Sequence, residues 1–297
     1  MDPDVFLQSF WHEIWETTRS QSILQQTQSN APDRWQSFYN TVSDIWQVMT
    51  GDGKSLSRTA AGLLIREGVV RTGDSVLDIG CGPGALALAF AENGILTTAL
   101  DSSPAMLSRM MAEATGHGLT GIVPVHSDWC DYRPTVFFDL VIAAFFPPAM
   151  SPSGINRMES LSSGFCAMIV GTGNESFPIR KKLWKRLIQT PIPHPGRHLI
   201  CAINYLMTSN RNPNVNHFSL PVSIKPPIET IRRYYQRYFS IFGIDELRVK
   251  DALETELTGF LQTDDGSLPG QMDAALIWWK ARDGRRRDDK EQETADR

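Results

Sequence analysis

Apolar positions near the start of the chain recur every three or four residues. Phe6, Leu7, Phe10, Trp11, Ile14, Trp15 and Thr18 line one side of a helical wheel and leave the other polar, which predicts an amphipathic helix. A Gln/Ser/Asn-rich connector is expected from Gln21 to Asn30. Pro32 suits a first helical turn and opens a second pattern through Trp35, Phe38, Tyr39, Val42, Ile45, Trp46 and Met49. Beyond the Gly51-Asp-Gly53 break, a third helix is expected from Ser55 to about Glu67, closed by Gly68. Residues 1–70 together read as a helical cap.

From Ser75 the period changes to short apolar strands alternating with helices, the pattern of a parallel α/β sheet. Strands are expected at Val76–Ile79, Ile95–Leu100, Ile122–His126, Leu140–Ala144 and Phe165–Val170. Between them a helix starts at Ala85, another at Pro104 with Ser103 as its N-cap, and a polar one lies around Ile155–Leu161. Residues 175–226 break the repeat. They hold two basic amphipathic stretches, a Pro191-Ile-Pro193-His-Pro195 interruption and a strand candidate near Val215–Leu220. A helix over Pro227–Phe242 resumes the pattern. Final strands are expected at about Glu246–Phe260 and Ala274–Trp279, joined as a hairpin by the turn-rich Asp264–Gly270. No internal repeat is visible.

Composition narrows the class. The chain has 297 residues, 41% hydrophobic and 21% charged, which is ordinary for a globular protein and wrong for disorder, collagen or coiled coil. Its longest apolar run, Leu140 to Phe146, is too short for a membrane span. Met1-Asp2-Pro3-Asp4 lacks the basic start of a signal peptide. Four cysteines (Cys81, Cys130, Cys166, Cys201) form no CxxC pair, which argues for reduced thiols in a cytoplasm and against a metal cluster. The net charge of −4 conceals an asymmetry, because residues 176–250 hold thirteen Lys/Arg against three acids. Residues 281–297 carry six basic and six acidic side chains and read as a disordered tail.

The most informative stretch is Asp78-Ile79-Gly80-Cys81-Gly82-Pro83-Gly84, between a strand and a helix. Glycines there permit a tight turn and close approach of backbone to ligand. Gly80-x-Gly82-x-x-Ala85 formally satisfies a dinucleotide fingerprint. Two details oppose it: Asp78 would repel a pyrophosphate, and Pro83 removes a backbone N–H that phosphate would need. A carboxylate with a proline suits a cofactor bearing a cationic amino group and no phosphate.

At this point the sequence resembles the class I S-adenosylmethionine (SAM)-dependent methyltransferases. Val76-Leu-Asp78-Ile-Gly80-Cys81-Gly82-Pro-Gly84 is similar to their first motif. Asp101, closing the second strand, resembles the acid that receives the ribose hydroxyls, and the run Asp101-Ser102-Ser103-Pro-Ala-Met106 resembles the small-molecule branch. Asp128 is similar to the adenine-amine acceptor, with Trp129 as its ring neighbour, and Phe138-Asp139 through Ala144 matches the fourth-strand motif. The resemblance spans about residues 70–172. It implies a Rossmann-like, seven-stranded, mostly parallel sheet with a C-terminal antiparallel hairpin over residues 71–280. It also implies SAM as cofactor, with Asp78, Gly80, Cys81, Gly82, Gly84, Asp101, Ser102, Met106, Asp128, Trp129 and Ala144 around it, and S-adenosylhomocysteine (SAH) as product.

In that family the acceptor is held after the fourth strand, by the cap and by insertions after the fifth strand. Here those are Phe145 and Phe146, the aromatic positions Trp35 and Tyr39, and a basic lid over 175–226 in which Arg197 would grip an anionic acceptor. Phe146-Pro-Pro-Ala149 lacks both the polar and the stacking residue of the Asn/Asp-Pro-Pro-aromatic motif, so it reads as an apolar wall. His194, His198 and Tyr205 are the candidates for a general base; no metal site is expected. The reading is methyl transfer to a small molecule. Two alternatives stay open: a nucleic-acid methyltransferase that tracks phosphates with residues 176–250, and a non-catalytic SAM-binding protein.

Overall fold

The computed structural model describes residues 4–51, 53–173, 178–190, 192, 194, 196–260 and 268–282. Most of the expected 264–270 turn, part of the 191–195 proline break and nearly all of the 281–297 tail lie outside them.

Five helices come first: α1 Gln8–Ser20, α2 Ile23–Asn30, α3 Pro32–Val42, α4 Trp46–Thr50 and α5 Gly53–Arg66. An alternating run follows of β1 Ser75–Ile79, α6 Ala85–Ala91, β2 Leu96–Asp101, α7 Pro104–Gly116, β3 Ile122–His126 and β4 Phe138–Ala144. Then come α8 Pro152–Ser160, β5 Ser162–Gly171, α9 Pro178–Leu187, α10 Gly196–Thr208 and β6 Asn214–Ile224. The described chain ends with α11 Ile228–Ser240, α12 Glu246–Phe260 and β7 Leu268–Lys280. The strands form one sheet in the order β3-β2-β1-β4-β5-β7-β6, with β7 antiparallel to both neighbours and every other pair parallel. The order reverses between β1 and β4, and a crevice opens at the C-terminal ends of strands at such a point.

Alternation along the central strands places the two cores. Val76, Leu140 and Ile142 face α5 and α6, whereas Leu77, Ile79, Val141 and Ala143 face α1, α8 and α10. A third core is rich in aromatic rings and joins α3 and α4 to α9, α11 and α12. The helices of residues 1–70 therefore go to three places: α5 covers one sheet face, α1 lies on α10, and α3–α4 pack on the later helices.

Three expectations fail. Glu246–Phe260 is helix α12, because Val249, Ala252, Leu253 and Leu257, all buried, recur at helical spacing. The partner of β7 is instead β6, inside the expected lid, so two helices separate the antiparallel pair in sequence. The connector at 21–30 is largely α2, where Ser22 Oγ caps the Gln25 amide at 3.4 Å; its apolar signal is weak because Gln25 alone is buried on it.

Candidate functional site

The site grows from the turn after β1. Asp78 sits in the middle of the sheet, opposite Ala99 on β2 and Ile142 on β4, and is 1% exposed. Its Oδ2 has no hydrogen-bond partner among the described residues. Burial foremost, then the nearby Asp101 charge, push its carboxyl up to about 7, against the pull of the Ala87 amide at the start of α6. The chain then turns through Gly80, Gly82 and Gly84, all at positive φ. Two of these glycines are required by close neighbours: a Cβ on Gly80 would strike the Phe146 ring, and one on Gly84 would strike Met110. Nothing stands within 4 Å of a Cβ built on Gly82, so this part of the turn faces open space. Cys81 is buried beside it.

Asp101 closes β2 and binds two loops together. Its Oδ2 accepts from the Gly82 amide and its Oδ1 from the Ser103 amide, both at 2.8 Å. Burial raises its pKa, opposed by those amides and by His126. Ser103 caps α7 by accepting from the Met106 amide at 3.2 Å, and Met106 itself is buried. The Ser102 carbonyl accepts from Gln36 Nε2 at 2.5 Å and from His126 Nε2 at 3.1 Å.

After β3, Asp128 is exposed and its Oδ1 accepts from the Cys130 amide at 2.6 Å. Trp129 is 5% exposed and joins the core, with the Arg157 guanidinium 4.5 Å above its ring. Beyond Ala144, Phe145 is 44% exposed and holds φ 49°, a strained value for a residue with a side chain. The short 3-10 turn at Pro147–Ala149 follows, and Arg19 from α1 donates to the Pro147 and Met150 carbonyls at 3.0 and 2.7 Å.

The acceptor-side candidates separate. Trp35 packs in the aromatic layer, and its indole N–H donates to Thr27 at 3.3 Å. Tyr39 lies beside Tyr234 and Tyr238 within the field of Asp101, and burial raises its pKa. Tyr205 is buried in the sheet core against Trp15. His198 accepts the Trp15 indole N–H on Nδ1 at 3.0 Å, so its one proton sits on Nε2; burial and then Arg19 lower its pKa to about 4. That neutral ring carries its proton on Nε2 and has no lone pair to act as base there. His194 is exposed, with its ring against Gly173, and Arg197 is exposed on α10.

Several side chains of the basic segment pair with acids, most of them contributed by other elements. Arg186 and Lys182 reach Glu256 at 3.2 and 3.7 Å, Arg233 reaches Asp44 at 2.7 Å, Arg237 reaches Glu246 at 3.2 Å, Arg232 bridges Glu229 and Glu254, and Arg211 is buried with Glu159. Part of the positive run seen in the sequence is thus a set of ion pairs that tie elements together. Among the described residues no group of three His, Cys, Asp or Glu is placed to hold a metal, and no helix is long and apolar enough to cross a membrane.

Strand order, glycine turn and acidic strand ends define a Rossmann-like domain of the class I type. Residues 76–159 match the family described as a methyltransferase domain. An uncharacterized protein of Haemophilus influenzae is 40% identical over 62 residues, which are 21% of this chain and 23% of that protein. The match thus spans less than a quarter of that curated relative. Among solved structures, the YcgJ protein of Bacillus subtilis superposes with TM-score 0.48 at 18% identity, over 76% of this chain and 99% of that one. Magnesium protoporphyrin IX methyltransferase from Synechocystis, with bound SAH, gives TM-score 0.46 at 13% identity, over 84% and 94%.

Proposed function

We propose that this protein transfers a methyl group from SAM to a small-molecule acceptor. The observation that carries the reading is the buried Asp78 carboxylate, with one oxygen unpartnered beside an open glycine turn and a second acid, Asp101, one strand away. This arrangement fits SAM, whose amino group is cationic, and disfavours a pyrophosphate. When bound, SAM supplies an electrophilic methyl group on a sulfonium sulfur.

The chain's own residues have distinct tasks. Asp78 ionises against the cofactor's ammonium group and so holds the amino-acid end. The Gly80–Gly84 turn lets backbone approach closely, and Asp101 receives the ribose hydroxyls. Asp128 accepts from the adenine amine. Phe145 and Phe146, at the end of β4, form the apolar wall that excludes water and orients the acceptor for in-line displacement. The neutral His198 helps fix α1 to α10 and has no part in proton removal. A small acceptor is favoured over a nucleic acid because Lys182, Arg186, Arg211, Arg232, Arg233 and Arg237 of the basic segment are already paired with acids and so are not all free to meet phosphates.

Titration calorimetry with SAH tests the cofactor assignment, and absence of binding overturns it. Incubation with labelled SAM and a metabolite extract, followed by mass spectrometry, then identifies the methylated product. A product confined to RNA or DNA overturns the small-molecule assignment.

A further inference from the structure

We propose that Asn40 and Gln36 on α3 are positioning residues of the cofactor site, acting on Asp101 through the two residues that follow it. The inference rests on the assignment of Asp101 to the ribose hydroxyls. Gln36 and Asn40 are four apart and so share one helix face. The opposite side of α3 is anchored by Trp35, Phe38 and Val42 in the aromatic core, which fixes the direction of the polar face. Asn40 Oδ1 accepts from the Ser103 hydroxyl at 2.7 Å and, more weakly, from the Ala105 amide at 3.4 Å. Gln36 Nε2 donates to the Ser102 carbonyl at 2.5 Å.

These contacts join at Asp101. The Ser103 amide, whose side chain Asn40 holds, donates to Asp101 Oδ1, while the Gly82 amide donates to Oδ2. Ser103 is fully buried, so its hydroxyl proton has no water to turn to when Asn40 is removed. The carboxylate direction is then set from outside the family-matched segment 76–159, by a helix joined to it only through the fold. The element that carries Tyr39 toward the site also holds the acid that meets the ribose.

The test compares SAH with its 2′,3′-dideoxy analogue by calorimetry at pH 8. Asn40→Ala is expected to weaken SAH about tenfold, the scale of one lost buried hydrogen bond. The dideoxy analogue, which has no hydroxyls for Asp101, is expected to lose less than about twofold on the same scale. Asn40→Asp keeps an oxygen for the Ser103 hydroxyl and is expected to return SAH binding to within about threefold of wild type. Gln36→Ala, which leaves the Ser103 cap intact, carries the same comparison if Asn40→Ala does not fold. Equal losses for both ligands, or no loss for either, overturn the proposal. Failure of the wild-type protein to bind SAH overturns the cofactor assignment and this inference with it, whereas wild-type binding with ligand-independent variant effects overturns the inference alone.

Discussion

The Gly82 amide donates to Asp101 Oδ2 at 2.8 Å, which ties the turn after β1 to the end of β2. Asp101→Ala removes both this tie and the acid proposed to meet the ribose. Hydrogen bonds to a charged group contribute roughly 1.5–3 kcal/mol each. Calorimetry is therefore expected to show SAH binding at least about tenfold weaker, with Asp101→Asn intermediate because one acceptor oxygen remains. Unchanged affinity in Asp101→Ala would remove this residue from the site.

Asp78 predicts an unusual pH dependence. Its folded pKa, about 7, lies above the ordinary 3.8, so between those values the folded chain holds a proton that the unfolded chain releases. Stability from this group is full below about pH 4 and declines as pH rises through 7. Asp78→Asn is expected to flatten that decline in thermal melts and to abolish SAH binding. Because the cofactor's ammonium favours the ionised carboxyl, SAH affinity of the wild type is expected to rise with pH and level off above about 7.

His198 acts with the opposite sign. Its folded pKa of about 4 lies below the ordinary 6.5, so its contribution is present above 6.5 and lost as pH falls toward 4. Nuclear magnetic resonance is expected to find this ring neutral at pH 6, with the proton on Nε2. His198→Gln is expected to remove the acid-side loss in melts while leaving SAH affinity unchanged.

Phe145 holds left-handed backbone at the end of β4. That conformation costs a side-chain-bearing residue about 1–2 kcal/mol, and glycine avoids it while losing about 0.5–1 kcal/mol of chain entropy on folding. Since the ring is largely exposed, Phe145→Gly is expected to leave stability unchanged or raise it by up to about 1 kcal/mol in urea unfolding. Methyl transfer is expected to slow because the apolar wall is lost.

Glu159 is a stability control outside the proposed cofactor site. It pairs with Arg211 inside the protein, and the Trp279 indole N–H donates to its Oε1 at 2.8 Å. Glu159→Ala strands a buried guanidinium and is expected to cost about 3–5 kcal/mol in denaturant unfolding. At temperatures where the variant remains folded, SAH affinity is expected to match wild type.

The parts legible from sequence were those governed by neighbouring residues. Alternation and glycine punctuation located β1 to β5, and the Asp78–Gly84 turn was visible because its conformation needs glycines in fixed places. Asp101 is visible because it ends a strand, and Asp128 because it lies just beyond one. Elsewhere local signals are ambiguous: α2 has too few apolar residues to announce itself, and Val249, Ala252, Leu253 and Leu257 show their helical period in a stretch that also suits a strand. Gln36, Asn40 and Arg19 gave no signal, since a polar residue on a helix looks alike whether it meets water or a distant loop.

The chain by itself determined the class of sheet, the glycine turn and the acids at the strand ends, because backbone sterics and side-chain period act over a few residues. Only the tertiary structure decided that β6 pairs with β7 across two intervening helices, that α3 sets the Asp101 loop, and that Glu256, Glu254, Asp44 and Glu159 pair with part of the basic segment. Each depends on residues far apart in sequence, whose charges and hydrogen-bonding groups acquire partners when the helices pack.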